Sequence, residues 1–160
     1  MDFVTPYAPV VRRWGLRAGL QPNDADDLFQ ETAIRVWRGL ASRPWLRSPK
    51  PWLMTIAYRA FLDSRKGARK HGEMVEVADD RQASPTAAAE QLEQQTHLQA
   101  TVQELPETLR SVVALHYSGG LSLRQIAAAM EINIGTVKSR LNSALVHLRG
   151  RLAANEQDSE

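Results

Sequence analysis

The fold of this chain is decided by residues 121–152, LSLRQIAAAMEINIGTVKSRLNSALVHLRGRL. Ser122 and Gln125 have the S-x-x-Q spacing of a capping box, which predicts a helix beginning at Leu123. After a turn at residues 131–133, Asn133 is a suitable N-cap for a second helix. Both helices carry an apolar stripe at helical spacing. These stripes are Leu123, Ile126, Ala127 and Met130 in the first, and Val137, Leu141, Leu145, Leu148 and Leu152 in the second.

The second helix carries polar and basic side chains off its apolar stripe, near its start. They are Lys138, Ser139, Arg140 and Asn142. In helix-turn-helix proteins these positions enter the major groove, where such side chains read base edges or hold phosphates. The pattern therefore favours a DNA-reading helix-turn-helix, although an ordinary helical hairpin with a solvated charged face has the same spacing.

Composition restricts the other classes of protein. The 160 residues include no cysteine, which excludes disulfides and thiolate metal sites and favours a reducing compartment. No run approaches the roughly 20 apolar residues of a membrane span, and the N-terminus lacks a signal-peptide pattern. The four histidines do not cluster at ligand spacing, so we expect no metal and no cofactor. We expect a soluble cytoplasmic protein of one domain or two small ones.

Charge is distributed in blocks, although the net charge is only +2. Residues 59–70 contain five basic side chains and one acid, residues 73–107 contain eight acids and only Arg81, and the last predicted helix is basic again. Two positive patches separated by an acidic connector suit a chain that touches nucleic acid at two places. For one patch alone, a solvated surface is the better interpretation. The first half of the connector has almost no large apolar residue and predicts a flexible linker.

Two further helices are predicted in the N-terminal half. Asn23 or Asp24 is expected to cap the first helix, and the second is expected to begin near Trp52, after Pro49 and Pro51. The first presents the apolar stripe Ala25, Leu28, Phe29, Thr32, Ala33, Val36, Trp37 and Leu40. Among the charges on its opposite side, Ile34 hints at a protein contact. The second presents the core stripe Leu53, Ile56, Ala57, Ala60 and Phe61, beside an aromatic and basic face that suits melted DNA. On that face, Trp52 is either a base-stacking residue or a partly buried anchor.

Three motifs, in this order, resemble the sigma-70 family of RNA polymerase sigma factors. DADDLFQETAIRVWR (Asp24–Arg38) is similar to its region 2 signature, PWLMTIA (Pro51–Ala57) to the promoter-melting part of region 2, and GTVKSRL (Gly135–Leu141) to its region 4 helix-turn-helix. The resemblance runs from about Tyr7 to Leu152, and the short acidic linker matches the extracytoplasmic-function (ECF, group IV) subfamily. It implies an all-α fold of two small helical domains, a region 2 bundle and a region 4 helix-turn-helix. The expected boundaries are 1–72 for region 2, 73–96 for the linker, 97–153 for region 4 and 154–160 for a frayed tail.

The resemblance also implies the partners and the residues that meet them. The expected partners are the β′ clamp helices and β flap of bacterial core RNA polymerase, promoter DNA and an inhibitory anti-sigma factor. The core polymerase would be bound by Asp27, Gln30, Glu31, Ile34 and Arg35. The −10 DNA would be melted and captured by Trp52, Arg59, Asp63, Ser64, Arg65, Lys66, Arg69 and Lys70. The −35 duplex would be read by Arg124, Thr136, Lys138, Ser139, Arg140, Asn142 and Ser143.

Several positions depart from the family pattern, among them Glu131 and Ser143. Glu131 stands where glycine frequently makes the turn, so a left-handed backbone there would be strained. Ser143 replaces a residue that is commonly basic in the family, which predicts fewer phosphate contacts. Both leave the preferred −35 sequence open.

Three other interpretations are weaker. A free-standing regulator of the response-regulator output type shares the helix-turn-helix but has no need of the helix at residues 24–38. A sigma-like mimic that sequesters a regulator would not need the basic residues of both patches. An enzyme is the weakest, because the sequence has no carboxylate pair, Gly-rich phosphate loop or nucleophile motif.

Overall fold

The computed structural model of the chain describes residues 3–40, 49–70 and 88–158. All regular structure within these ranges is helical, as expected for an all-α chain. After a 3-10 turn at Thr5–Tyr7, the N-terminal half consists of α1 (Ala8–Arg17), α2 (Pro22–Leu40) and α3 (Pro49–Lys70). The C-terminal half consists of α4 (Ala88–Gln103), α5 (Glu107–Val113), a π-helical turn (Ala114–Ser118), α6 (Leu123–Met130) and α7 (Ile134–Asp158).

The starts of α2 and α3 differ from the sequence prediction. Helix α2 begins at Pro22 rather than after a cap at Asn23 or Asp24, and α3 begins at Pro49 rather than near Trp52. Proline is favoured in the first turn of a helix because its φ is already helical and the missing N–H has no intrahelical acceptor there. In both helices the proline therefore belongs to the helix.

The core of the N-terminal half is built around Trp14 of α1, which is fully buried. Its ring meets Phe61 edge-on, with centroids 5.4 Å apart, and Tyr58 at 6.4 Å. Both partners lie on α3, which also buries Leu53, Ala57 and Ala60 as predicted, and in addition Met54 and Tyr58. The buried face of α3 is wider than one stripe because α1 and α2 pack on it from the N-terminal half and α6 packs on it from the C-terminal half.

The predicted stripe of α2 is only partly correct. Ala25, Leu28, Thr32 and Val36 are buried, and the Thr32 hydroxyl donates to the Leu28 carbonyl at 2.6 Å, which satisfies a polar group inside the core. Trp37, however, is 68 % exposed, so the prediction that it faces the core was wrong. An eight-residue stripe on a helix is wider than the strip that one neighbouring layer covers, and Trp37 lies at its edge.

The helix-turn-helix forms as predicted. Ser122 and Gln125 make both hydrogen bonds of the capping box, Gln125 N to Ser122 Oγ at 3.2 Å and Ser122 N to Gln125 Oε1 at 2.9 Å. The chain turns at Glu131 with φ 57° and ψ 45°, and the Asn133 carbonyl accepts the first hydrogen bonds of α7. Glu131 is thus a non-glycine residue in the left-handed region, which costs roughly 1–2 kcal/mol.

Two differences concern the ends of other predicted helices. In the sequence, Leu105-Pro106 predicts the opening of a helix that ends at Gly119, with Leu109, Val112, Val113, His116 and Tyr117 on one side. Tyr117 is nevertheless 58 % exposed, because the π turn at Ala114–Ser118 shifts the phase of the stripe. Helix α7 continues to Asp158, where the chain was expected to fray over residues 154–160. Alanine, glutamate and glutamine in that tail are good helix formers, so the helix propagates past Leu152.

The predicted linker at residues 73–96 falls partly outside the described residues. Its last part, residues 88–96, belongs to α4, so that part is a helix. The first half, predicted to be flexible, lies outside the described ranges. None of the helices in the described part of the chain is long and apolar enough to cross a membrane. Among the same residues, no group of His, Asp and Glu side chains is placed to hold a metal ion.

Replacement of Glu131 by glycine should stabilise the protein. Glu131→Gly removes the Cβ from a left-handed position, so the free energy of unfolding should rise by about 1 kcal/mol. The midpoint of thermal unfolding should rise by about 2–4 °C for a chain of this size. Glu131→Ala keeps the Cβ and should leave the midpoint nearly unchanged. A lower midpoint for Glu131→Gly would show that the turn is held by the glutamate side chain instead.

Candidate nucleic-acid and protein interfaces

The predicted −35 residues form an exposed face at the start of α7. Lys138, Ser139, Asn142 and Ser143 are exposed, while Thr136 and Arg140 are half-buried. The opposite side of the helix is fixed in the core by Val137 and Ala144, which have no exposed surface. Arg124, on α6, is exposed as well. A rigid helix with its polar face in solvent is the geometry with which helix-turn-helix proteins enter a major groove.

Most of the predicted −10 residues on α3 are exposed, but not all of them are free of partners within the chain. Arg59, Asp63, Ser64, Lys66, Arg69 and Lys70 are exposed. The Arg65 guanidinium lies 5.4 Å from the centre of the Phe61 ring and its side chain is only 16 % exposed. Both Arg65 and Arg69 pair with Glu107 of α5, at 3.7 Å and 2.9 Å. Ser64 uses its hydroxyl to donate to the Phe61 carbonyl at 2.8 Å.

Trp52 is half-buried and lies against α2. A Cβ at Gly39 would be 3.1 Å from Trp52 Cζ2, so Gly39 makes room for the indole ring. The ring belongs to the partly buried residues that pack on the core. This position favours the interpretation of Trp52 as a packing anchor over a base-stacking residue.

The predicted polymerase-binding residues lie on the outer side of α2. Asp27, Gln30 and Ile34 are exposed, Ile34 by 46 %, and Glu31 and Arg35 are half-buried. Ile34 borders an apolar groove of about 390 Å³. Neither the spacing of residues in the sequence nor the composition had indicated this groove. The groove is lined by Phe3, Val4, Thr5, Phe29, Ala33, Ile34, Trp37 and Arg38. Exposed apolar side chains around a concave surface are typical of protein contacts.

Arg35 joins two of the predicted surfaces. Its Nε donates to Glu31 Oε1 at 2.7 Å on α2, and its Nη1 donates to Asp63 Oδ2 at 2.8 Å on α3. The hydrogen bonds that Arg35 donates, to Glu31 first and to Asp63 second, raise the pKa of Arg35 above its ordinary value. The sequence placed Arg35 with the polymerase-binding residues and Asp63 with the DNA-binding ones. Only the packing of α2 on α3 brings them together.

Where the structure describes the chain, these features are an all-helical fold, a helix-turn-helix with a polar exposed face and a separate exposed apolar groove. Residues 3–71 match the family Sigma-70 region 2, and residues 96–148 match Sigma-70, region 4. The ECF RNA polymerase sigma factor SigL of Mycobacterium tuberculosis is 32 % identical over 89 % of this chain and 82 % of its own length. The chain belongs to the ECF subfamily of the sigma-70 family, whose members are initiation factors and not enzymes.

Two further comparisons concern the family and the fold respectively. The ECF sigma factor SigE of Mycolicibacterium smegmatis is 32 % identical over 99 % of this chain, and the chain spans 63 % of that relative's length. The sigma factor RpoE of Bartonella quintana, solved in complex with the anti-sigma factor NepR, has a similar fold. Its TM-score is 0.73 at 24 % sequence identity, over 94 % of each chain.

A double-mutant cycle should detect the link between α2 and α3. For Arg35→Met and Asp63→Asn, we expect a coupling free energy of about 0.5–1 kcal/mol in urea unfolding, kept small because Asp63 is largely solvated. The cycle of Arg38→Met with Asp63→Asn is the control, and its coupling should be close to zero. Equal coupling in the two cycles would mean that the effect is a general change of charge.

Proposed function

We propose that this sigma factor binds bacterial core RNA polymerase through α2 and directs it to promoters, where α3 captures melted −10 DNA and α7 reads the −35 duplex. The observation that carries this proposal is the combination of an exposed basic face on α7 with a second basic face on α3. A free-standing regulator would need only the first of these. We assign residues 1–72 to the polymerase-binding and −10 unit, residues 73–96 to the linker and residues 97–153 to the −35 unit.

The polymerase contact is assigned to Asp27, Gln30, Glu31 and Ile34, with Arg35 positioned behind them. Ile34 supports this assignment, because its exposed side chain borders the apolar groove and is surrounded by charges that could set the orientation of a partner. Such a centre, apolar with a polar rim, is the usual anatomy of a protein interface. Action on the polymerase would place the protein in the cytoplasm.

The −10 contact is assigned to the basic face of α3. Extruding a base from the stack costs a few kcal/mol, which neutralisation of phosphates and new hydrogen bonds must offset. Arg59, Lys66, Arg69 and Lys70 supply positive charge, and Asp63 and Ser64 supply polar groups beside them. Arg65 joins this set once Glu107 is displaced. Trp52 contributes by fixing α3 against α2.

The −35 contact is assigned to Lys138, Ser139, Arg140, Asn142 and Ser143, with Thr136 and Arg124 beside them. This face includes the N-terminus of α7, where unpaired backbone N–H groups favour a phosphate. A serine at position 143 contributes no positive charge, so affinity rests more on Lys138 and Arg140.

We further propose that an anti-sigma factor holds this protein inactive. The related fold of RpoE from Bartonella quintana was solved with such an inhibitor, NepR, which supports the proposal by likeness of fold alone. A partner of this kind would have to cover the α2 groove, the α3 face or the α7 face. Each of these is exposed enough to accept a partner.

Loss of two basic side chains from α7 should weaken promoter recognition selectively. In transcription with purified core polymerase, Lys138→Ala with Arg140→Ala should lower initiation by about tenfold or more, because each phosphate or base contact contributes about 1 kcal/mol or more. Core binding should not change. The matched control is Arg149→Ala with Arg151→Ala, which removes the same charge from the same helix. If both double variants lose initiation equally, the −35 assignment is wrong.

A polar residue at position 34 should weaken core binding. Ile34→Ser removes an exposed apolar side chain from the centre of the proposed interface, and the affinity for core polymerase should fall about tenfold or more in a binding titration. Leu98→Ser is the control, since Leu98 is equally exposed, 45 % against 46 %, but lies on α4. Retention of full affinity by Ile34→Ser would exclude this face. If the unmodified protein binds duplex DNA but not core polymerase, it is an ordinary DNA-binding regulator and the proposed function is wrong.

A further inference from the structure

Asp63 is the only acidic residue of α3, and it stands among the basic residues of that helix. Arg59 precedes it by four positions and Lys66 follows it by three, which are the spacings at which side chains of a helix meet. A face that binds only phosphates gains nothing from a carboxylate, because the two negative charges repel each other. Asp63 is therefore not explained by phosphate binding.

The charge of this carboxylate is balanced from another helix. Arg35 of α2 donates from Nη1 to Asp63 Oδ2 at 2.8 Å, and from Nε to Glu31 Oε1 at 2.7 Å. In the part of the chain that the structure describes, no ion pair involves Arg59 or Lys66. These two cations of α3 therefore stay available for phosphates, although an acid lies between them.

Arg35 also fixes the orientation of the Asp63 carboxylate. A guanidinium is planar and donates from fixed positions, so a side chain that is held by Glu31 on one side cannot turn freely on the other. The contact with Arg35 takes up Oδ2, and the side chain of Asp63 remains 56 % exposed. A carboxylate has about four acceptor sites on its two oxygens. Oδ1 is left to accept from a group that approaches α3 from solvent.

The chemistry of a carboxylate restricts what that group can be. An ionised carboxylate accepts hydrogen bonds and donates none, so it needs a donor and rejects a phosphate. In melted DNA the exocyclic amino groups of adenine, cytosine and guanine are such donors. Thymine has no amino group, and its single N3–H lies between two carbonyl oxygens that a carboxylate repels. A carboxylate held in place therefore discriminates against thymine.

We propose that Asp63 determines base specificity in the −10 contact: its carboxylate accepts from the exocyclic amino group of an unstacked base, and Arg35 is the positioning residue that holds it. This inference rests on the proposed function of α3. It gives Arg35 a role in DNA recognition without contact between Arg35 and DNA. An ion pair that only fastened α2 to α3 would affect initiation at all promoters alike, and this difference separates the two roles.

The first experiment measures base preference during initiation by the full chain with purified core polymerase, on promoters randomised across the −10 element. At one position, thymine should be disfavoured about tenfold or more against a base with an amino group, as expected for a hydrogen bond to a charged acceptor. Asp63→Asn should lower this preference to about threefold or less, because an amide donates as well as accepts.

Arg35→Met tests the positioning role in the same assay. Without the guanidinium, the carboxylate is free to turn toward Arg59 or Lys66, so the preference at the same position should fall by about threefold or more. Full retention of the preference by Arg35→Met or by Asp63→Asn overturns the proposal.

The matched control uses a second ion pair between helices of the same bundle. Arg12 of α1 pairs with Asp26 of α2, and neither residue lies on α3. Arg12→Met and Asp26→Asn remove the same charges as the test variants and should leave the base preference unchanged within about twofold. If the controls lose the preference as much as the test variants do, it depends on general charge or rigidity, and the proposal is wrong.

The second experiment removes the amino group from the DNA instead of the carboxylate from the protein. At the selective position, the preferred base is replaced by its analogue without the exocyclic amino group: purine for adenine, hypoxanthine for guanine or 2-pyrimidinone for cytosine. Formation of open complexes by the wild-type protein should fall about tenfold. With Asp63→Ala, which has no acceptor at this place, the same replacement should cost less than about twofold. Equal losses for the two proteins overturn the proposal.

The wild-type protein keeps the test decisive even if a variant does not fold. If removal of an amino group at each −10 position in turn changes wild-type initiation by less than about twofold, no amino contact exists and the inference is wrong. If the wild-type protein with core polymerase initiates at no promoter, the proposed function itself is wrong. Initiation with base preferences that the Asp63 variants share with the wild type overturns this inference alone.

Discussion

The burial of Trp14 is the constraint on which the rest of the structure depends. Its ring lies between Phe61 and Tyr58 of α3, and removal of a tryptophan from water contributes about 4–6 kcal/mol. The helix that carries it, α1, also packs on α2, on the turn Ala114–Ser118 and on α4. One short helix thus holds the N-terminal bundle together and receives the C-terminal half. Because α1 occupies this position, the exposed faces of α2 and α3 keep a fixed relation to each other.

Each proposed interface follows from a helix that is buried on one side and polar on the other. Val137 and Ala144 hold α7 so that Lys138 and Ser139 stay in solvent. The same division on α3 leaves a row of basic side chains outside the core. The basic side chains of each row repel one another. They therefore attract an anion, which is either a phosphate or a carboxylate of the chain itself. Glu107 is such a carboxylate, since it pairs with Arg65 and Arg69.

Periodicity and capping determine much of the local structure, and their limits are equally specific. The capping box at Ser122 and the strained turn at Glu131 could both be predicted from the sequence, because each involves only residues that are a few positions apart. Trp37 was misjudged because helical spacing says which residues share a face and not how wide a face the neighbours cover. Tyr117 was misjudged because a π turn changes the spacing on which the prediction relied. The start of α2 was placed late because Asn23 or Asp24 was taken as its cap, and the start of α3 because Pro49 and Pro51 were taken to precede it.

The sequence by itself determined the helices, the helix-turn-helix, the two basic patches and the membership in the ECF sigma factors, since each is a local pattern or an ordered set of local motifs. Only the tertiary structure decided which charges meet. Arg35 and Asp63 are 28 residues apart, Arg69 and Glu107 are 38 apart, and Arg17 and Ser118 are 101 apart. Contacts over such separations are set by the way whole helices pack. The partner of a side chain depends on the rotation and translation of the helix that carries it. Residue spacing within either segment encodes neither this rotation nor this translation.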